Sequence, residues 1–149
     1  MVEFTQHFVG ELSLSTVVNL TPHEVTVYAA DGKKVMWKFP SVGALRLKSE
    51  GPQTVVGHVR NAEADVPIMR GQTFVGLDEK QSGYAHYAAD SRGRFIVSLA
   101  TAQWLAENGA ARGLLGERVI LCPATSPSQG VRDEGGQILG CKSLEVYVP

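Results

Sequence analysis

Apolar and polar residues alternate through much of this chain in short runs, each broken by Gly, Pro, Asn or Asp. Period-two alternation between such breakers is the mark of half-buried strands. Glu24–Tyr28 and Lys34–Phe39 are rich in Val and aromatic residues, with Ala29-Ala30-Asp31-Gly32 before the second run. An Asp-Gly turn in that position predicts a β-hairpin. In its second arm Val35, Trp37 and Phe39 share one face, and Pro40, with no amide hydrogen to donate, closes the run. Further short strands are expected at Ala44–Lys48, Gln53–Val59, Val66–Met69 and Thr73–Leu77. Arg94–Leu99 and Arg118–Cys122 are compact apolar runs suited to buried strands. Leu144–Val148 alternates Leu144, Val146 and Val148 against Glu145 and Tyr147.

One segment has helical spacing instead. Thr101–Glu107 contains good helix formers and places Ala102, Leu105 and Ala106 on one side. Ser98 or Thr101 is the expected N-cap, and Asn108-Gly109 the stop. Two stretches read as long loops: Asp78–Gly93, polar but holding Tyr84, His86 and Tyr87, and Pro123–Gly136, rich in Pro and Gly. Loops of this length inside a domain are often functional. No internal repeat or linker interrupts residues 1–149. The expected fold is α+β, mainly β: one compact domain of short antiparallel or mixed strands with one prominent helix.

Composition narrows the function. Apolar residues make up 44% and charged residues 19% of 149, which excludes a disordered chain. The formal net charge is -1, so general binding of nucleic acid along its phosphate backbone is not expected, although a local basic pocket is allowed. The N-terminal Met1–His7 lacks the basic start of a signal peptide, and no apolar run suits a membrane span. With only Cys122 and Cys141, far apart, a reduced cytoplasmic setting without a disulfide framework is expected.

Common catalytic signatures are missing: no Walker loop, no HExxH, no GxSxG, no GxGxxG before a helix. His7, His23, His58 and His86 are scattered, so neither a metal nor a cofactor is expected. Three polar clusters remain. Asn19-Leu20-Thr21-Pro22-His23 lies between two strands, where Asn19 and Thr21 either satisfy turn backbone or aim polar groups at a ligand. Arg46 sits between Leu45 and Leu47 and faces outward if those leucines face the core. Val131-Arg132-Asp133 precedes Glu134-Gly135-Gly136, as a loop ion pair or a binding element.

Taken in order, Asn19-Leu-Thr-Pro-His23, Pro40-Ser41 with Arg46-Leu47, Phe95-Ile-Val-Ser98, Pro123, and Val131-Arg-Asp133 through Gly140-Cys141-Lys142 resemble a family of small bacteriophage and prophage proteins. The likeness runs from about Val18 to Val146. It departs where the family's proline-serine-glycine reads Pro40-Ser41-Val42, with glycine one place later at Gly43. Asp78–Gly93 and Ala110–Gly116 are longer than their counterparts. The resemblance implies a phage origin and a shared fold, and does not itself supply an activity.

Small phage proteins often counter host defence, and one route is to sequester a nucleotide-derived immune signal, cyclic or ADP-ribose-like. Arg46 and Arg132 suit phosphate through the guanidinium fork. Asn19, Thr21, His23 and Asp133 suit polar edges, and Tyr84, Tyr87 or Trp104 suit stacking on a base. A homo-oligomer with such a pocket between subunits is expected. The alternatives are an enzyme on a nucleotide or phosphate compound, with His23 as general acid or base, and a virion or interaction protein with no small ligand.

Overall fold

A computed structural model describes residues 10–148; Met1–Val9, including His7 and most of the expected non-signal start, and Pro149 lie outside the described residues. The chain is α+β and mainly β. In chain order the strands are β1 (Val17–Asn19), β2 (Val25–Tyr28), β3 (Val35–Phe39), β4 (Leu47–Ser49), β5 (Val55–Arg60), β6 (Asp65–Met69) and β7 (Phe74–Leu77). Helix α1 (Ser82–Ala89) follows, then β8 (Arg94–Ile96) and helix α2 (Leu99–Trp104). The chain ends with β9 (Val119–Pro123), β10 (Gly130–Arg132), β11 (Ile138–Cys141) and β12 (Leu144–Tyr147).

The apolar runs at Arg94 and Arg118 become the middle of a four-stranded sheet ordered β1-β8-β9-β12. β8 is parallel to both β1 and β9, and β12 closes the sheet antiparallel to β9. Period-two alternation sends neighbouring side chains to opposite faces, and both faces are covered. Phe95, Val97, Ile120 and Cys122 join one core with Leu20, Leu45, Leu77, Tyr87, Ala102, Trp104, Leu105 and Leu115. Ile96 and Leu121 point the other way and join Val25, Phe39 and Cys141 in a second core. Val25, Phe39 and Cys141 come from a second sheet, ordered β10-β11-β2-β3. The central sheet thus separates a helix-bearing layer from a sheet layer, which explains why its strands read as nearly continuous apolar runs.

The expected hairpin is present: β2 and β3 pair antiparallel, Val25 opposite Phe39 and Val27 opposite Trp37. Asp31 Oδ1 accepts from the Lys33 and Lys34 amides at 2.8 and 3.2 Å, and these bonds hold its carboxyl below the ordinary aspartate range. Gly32 adopts φ +72°, a conformation that costs a residue with a Cβ. Of Val35, Trp37 and Phe39 only Phe39 is buried: β3 is an edge strand, and a bulge between the Val35 and Trp37 pairings breaks the alternation expected from the sequence. Ser98 caps α2, its Oγ accepting from the Thr101 amide at 3.4 Å. The helix widens into a π-turn over Leu105–Gly109 before it stops.

Two expected loops contain regular structure. Asp78–Gly93 holds α1, so the single prominent helix becomes two. Its Gly83 signals a loop in sequence, but here the glycine lets the helix lie against backbone: a Cβ there would sit 2.5–2.7 Å from Ala44 and Leu45 main-chain atoms. Pro123–Gly136 holds β10, which pairs with β11 across a turn in which Asp133 Oδ1 accepts from the Gln137 amide at 2.9 Å.

Burial of two ionisable groups in the helix-side core makes a prediction. Burial pushes the Cys122 thiol up to about 11 and the Tyr87 phenol up to about 12. Each raised pKa means the folded chain holds a proton that the unfolded chain gives up first. Stability should therefore be flat to about pH 9, then fall as pH passes through the unfolded thiol and phenol ranges. Urea melts across pH 8 to 11 check this, and Cys122→Ala should shrink the loss in the thiol range while leaving the part due to the Cys141 thiol, which burial also raises.

Candidate functional site

The Asn19–His23 cluster faces inward. Asn19 is 1% exposed and uses its whole amide. Its Nδ2 donates to the His23 carbonyl at 2.8 Å and to the Phe39 carbonyl at 2.9 Å. Its Oδ1 accepts from the Thr21 amide at 2.9 Å and lies 2.7 Å from Thr21 Oγ1. Thr21 Oγ1 is also 2.8 Å from the His23 carbonyl, and its one proton serves one of the two acceptors at a time. Ser41 Oγ donates to the Thr21 carbonyl at 2.5 Å. With its side-chain amide fully engaged Asn19 has no polar atom to offer a ligand, and Thr21 commits its hydroxyl proton to the same turn. They do the turn chemistry that one reading of the sequence anticipated.

His23 and Arg46 remain exposed. His23 lines a shallow 270 Å³ hollow with Thr21, Glu24, Leu99 and Thr125, and among the described residues nothing hydrogen-bonds its ring. Arg46 lines a separate 270 Å³ hollow with Leu20, Pro22, Leu45 and Phe74. Ser98 belongs to both hollows, so the two side chains flank one ridge. Arg132 and Asp133 stand apart in the β10–β11 turn. Arg132 Nη1 donates to the Gly136 carbonyl at 2.9 Å, so the segment braces its own turn and joins neither hollow within one chain.

The two tyrosines also separate. Tyr87 is 1% exposed, its hydroxyl donates to the Leu114 carbonyl, and the Arg118 guanidinium lies 4.3 Å from its ring centre. Its ring is committed to the core and has no face left for a base. Trp104 is likewise buried, with Arg112 stacked 5.5 Å from its ring centre. Tyr84, one turn before Tyr87 on α1, is half-buried and opens onto a cleft.

That cleft encloses about 590 Å³. Lys48 from β4, Val75 to Leu77 from β7, Asp78 to Lys80, Tyr84, Arg112 and Leu114 line it. Its framework is well tied. The Asp78 amide donates to the Arg46 carbonyl at 2.8 Å, and Asp78 Oδ1 accepts from the Lys80 amide at 3.0 Å. Arg112 Nη1 donates to the Val75 carbonyl at 3.0 Å, which leaves its other guanidinium hydrogens unused by that bond. Three cations therefore surround an apolar floor of Val75, Leu77 and Leu114, beside one phenol ring. The Asp78 carboxylate accepts from the Lys80 amide and the Gln81 side-chain amide, and Glu79 Oε1 lies 3.4 Å from the Tyr84 hydroxyl. Such a mixture can grip an anionic group and hold a flat ring against it.

Of the residues singled out in sequence, only Tyr84 lines this cleft. Lys48, Lys80 and Arg112 carry no motif. They meet because β4 pairs with β7, Lys48 opposite Gly76, and because the segment after α2 folds back on β7. Compared with known proteins, the chain matches no family model, no curated protein and no solved structure. No described helix is long and apolar enough to cross a membrane, and among the described residues no His, Cys, Asp and Glu group of metal-binding size is present.

The Asn19 amide gives a direct test of its structural role. Asn19→Ala leaves the Phe39 carbonyl and the Thr21 amide without their side-chain partner, each worth about 1–3 kcal/mol when fully stranded, while the Thr21 hydroxyl still serves the His23 carbonyl. With relaxation at the turn, the variant should lose about 3 kcal/mol of stability by urea unfolding. Asn19→Asp should lose a comparable amount at neutral pH, since a carboxylate oxygen then faces two carbonyl oxygens. Unchanged stability in both variants would return Asn19 to the list of ligand-binding candidates.

Proposed function

We propose that this protein captures a small nucleotide-derived anion, of the cyclic or ADP-ribose-like kind, and so withholds a host immune signal, in keeping with its resemblance to small phage proteins. The observation that carries this reading is the convergence of Lys48, Lys80 and Arg112 with Tyr84 on one 590 Å³ cleft. Its volume falls within the roughly 300–1,000 Å³ usual for small-molecule sites. Two cleft walls come from Asp78–Gly93 and Ala110–Gly116, segments that the resemblance to small phage proteins implies are longer here than in their counterparts. Length added on the walls of a pocket suits a ligand specific to this chain. The acid/base alternative rests on His23, whose ring has no orienting partner among the described residues. Capture without turnover accounts better for what surrounds the cleft.

The experiment incubates the purified protein with an extract of infected cells, then denatures it and identifies the released small molecules by mass spectrometry. An intact nucleotide-derived anion supports capture. A chemically altered product would make the protein an enzyme, and release of nothing would favour an interaction protein. With the released molecule as titrant, Lys48→Ala and Lys80→Ala should each remove a charge-assisted hydrogen bond worth about 1.5–3 kcal/mol, or roughly ten- to 150-fold in Kd. Tyr84→Ala should cost about 1–3 kcal/mol if a base stacks there. Calorimetric titration reads all three. Binding unchanged in all three but lost in Arg46→Ala would move the site to the ridge beside His23.

A further inference from the structure

Strands β5 and β6 form a two-stranded ribbon that packs on itself and extensively on no other element. None of its residues enters either core. The ribbon is the outer half of a long hairpin whose root is the β4–β7 pair. Root and arm are joined by hydrogen bonds from the Glu50 amide to the Thr73 carbonyl at 2.8 Å and from the Arg70 amide to the Thr54 carbonyl at 2.9 Å. A free two-stranded ribbon is marginally stable in water, and its exposed apolar surface needs a cover.

The arm has two chemically different faces. Directly opposed residues on antiparallel strands share a face. The register sets Val59 opposite Val66 and Gly57 opposite Ile68, which makes one face wholly apolar. On the other face His58 Nδ1 meets Asp65 at 2.8 Å and Arg60 Nε lies 3.5 Å from the same carboxylate. That cluster satisfies itself and asks for no charged partner. The apolar face has no partner among the described residues: Val59 is 63%, Val66 56% and Ile68 44% exposed. Strand addition at the outer edge of β6 is hindered. The Asn61 amide bonds to the Ala64 carbonyl, and the alternation of ladder pairs from there leaves His58–Pro67 a non-hydrogen-bonded pair. Pro67 therefore takes an outward donor position with no hydrogen to give. The broad face is the contact surface.

We propose that the arm is a dimerisation arm: its Val59–Val66–Ile68 face docks on a second copy of this chain, and the second copy's arm docks back. Area selects the second copy over an unrelated partner. An aliphatic side chain offers about 60–120 Å² of apolar surface, so the half-exposed apolar residues of one arm supply on the order of 300 Å². One arm on one partner then buries about 600 Å² in all, no more than a crystal-packing contact, whereas a reciprocal pair reaches about 1,200 Å², the size of a specific interface. Only a partner with an equivalent arm provides the doubling, and a two-fold exchange closes instead of growing into a fibre. A receiving surface is present on the same chain. β3 is a sheet edge whose consecutive Val35, Met36 and Trp37 are 42%, 55% and 41% exposed.

Sedimentation equilibrium of the full chain across the micromolar range tests this independently of any ligand. The expected result is a species of twice the chain mass. Val59→Asp/Ile68→Asp in the arm and Met36→Asp on β3 should each raise the dimer dissociation constant tenfold or more. Far-ultraviolet circular dichroism and Tm of the arm variant at low concentration should match the unmutated chain, because the arm lies outside both cores. A second readout needs no variant: amide exchange at Val59 and Val66 should slow as concentration rises. A monomer at every concentration, or a dimer indifferent to the arm variant or to Met36→Asp, would overturn the proposal.

Discussion

The Asn19 side chain is the joint on which the architecture turns. Its amide spans two carbonyls that belong to different strand ends, His23 entering β2 and Phe39 leaving β3, while its oxygen holds the Thr21 amide in the turn between. The main chain beside it does the same work at larger scale. Leu20 donates to Ile96, Val42 to Asn19 and Leu45 to Leu20, at 2.8, 3.1 and 2.9 Å. Three separate stretches thus cross at one buried point. Only a neutral amide supplies two donors and a double acceptor there: a carboxylate repels both carbonyls, and an apolar side chain strands the Phe39 carbonyl and the Thr21 amide. From this crossing Leu20 drops into the helix-side core and Phe39 into the sheet-side core. The Asn19 crossing thus ties the entry of both cores together beside the central sheet whose alternating residues they share.

Because the central sheet is covered on both faces, its charged residues are few and peripheral: Arg94 at the start of β8 and Glu145 on the edge strand β12. Chemistry is displaced to the rim, onto the segments that enter and leave the sheet. The cleft follows from that displacement. Lys48 lies just past the last core leucine of its strand, Lys80 lies in the turn before α1, and Arg112 lies beyond α2. Their convergence depends on the buried residues beneath them: Leu77 and Leu115 fill the core below the cleft floor, and Arg112 is held by the Val75 carbonyl and the Trp104 ring. Burial thus positions the cations without touching their charged ends.

What could be read from the sequence was local. The β2–β3 pairing, the Ser98 cap, the buried character of Phe95–Val97 and the mainly-β class all follow from periods and turn residues within a few positions. Helix α1 was hidden because its glycine mimics a loop signal, and the clash that makes Gly83 necessary comes from Ala44 and Leu45, some forty residues earlier. The polar cluster misled for a related reason. Asn, Thr and Arg are the residues that bind ligands and also the residues that satisfy buried backbone, and composition cannot separate the two uses. Counting the bonds of Asn19 does. The cations of the cleft left no pattern at all, since a strand pairing rather than a spacing brings them together.

The hairpin from Leu47 to Leu77 shows how one element can serve two surfaces without mixing them. At its root Leu47, Phe74 and Leu77 are anchored in the helix-side core, and Lys48 and Val75 face the cleft. Between root and arm, Gly51-Pro52 on one strand and Gly71 on the other interrupt the ladder. Proline removes a ladder donor, and glycine carries no side chain to stiffen the pleat. Only the bonds from Glu50 to Thr73 and from Arg70 to Thr54, with Gln53 Nε2 on the Arg70 carbonyl at 2.9 Å, carry the ribbon across the gap. Force applied to the arm is therefore spent in bending this neck before it reaches residues fixed by core packing. A contact made by Val59, Val66 and Ile68 can order the arm and leave the cleft's cations where the core holds them. The break in the ladder is what would let a ligand in the cleft and a contact at the arm vary as separate properties of one hairpin.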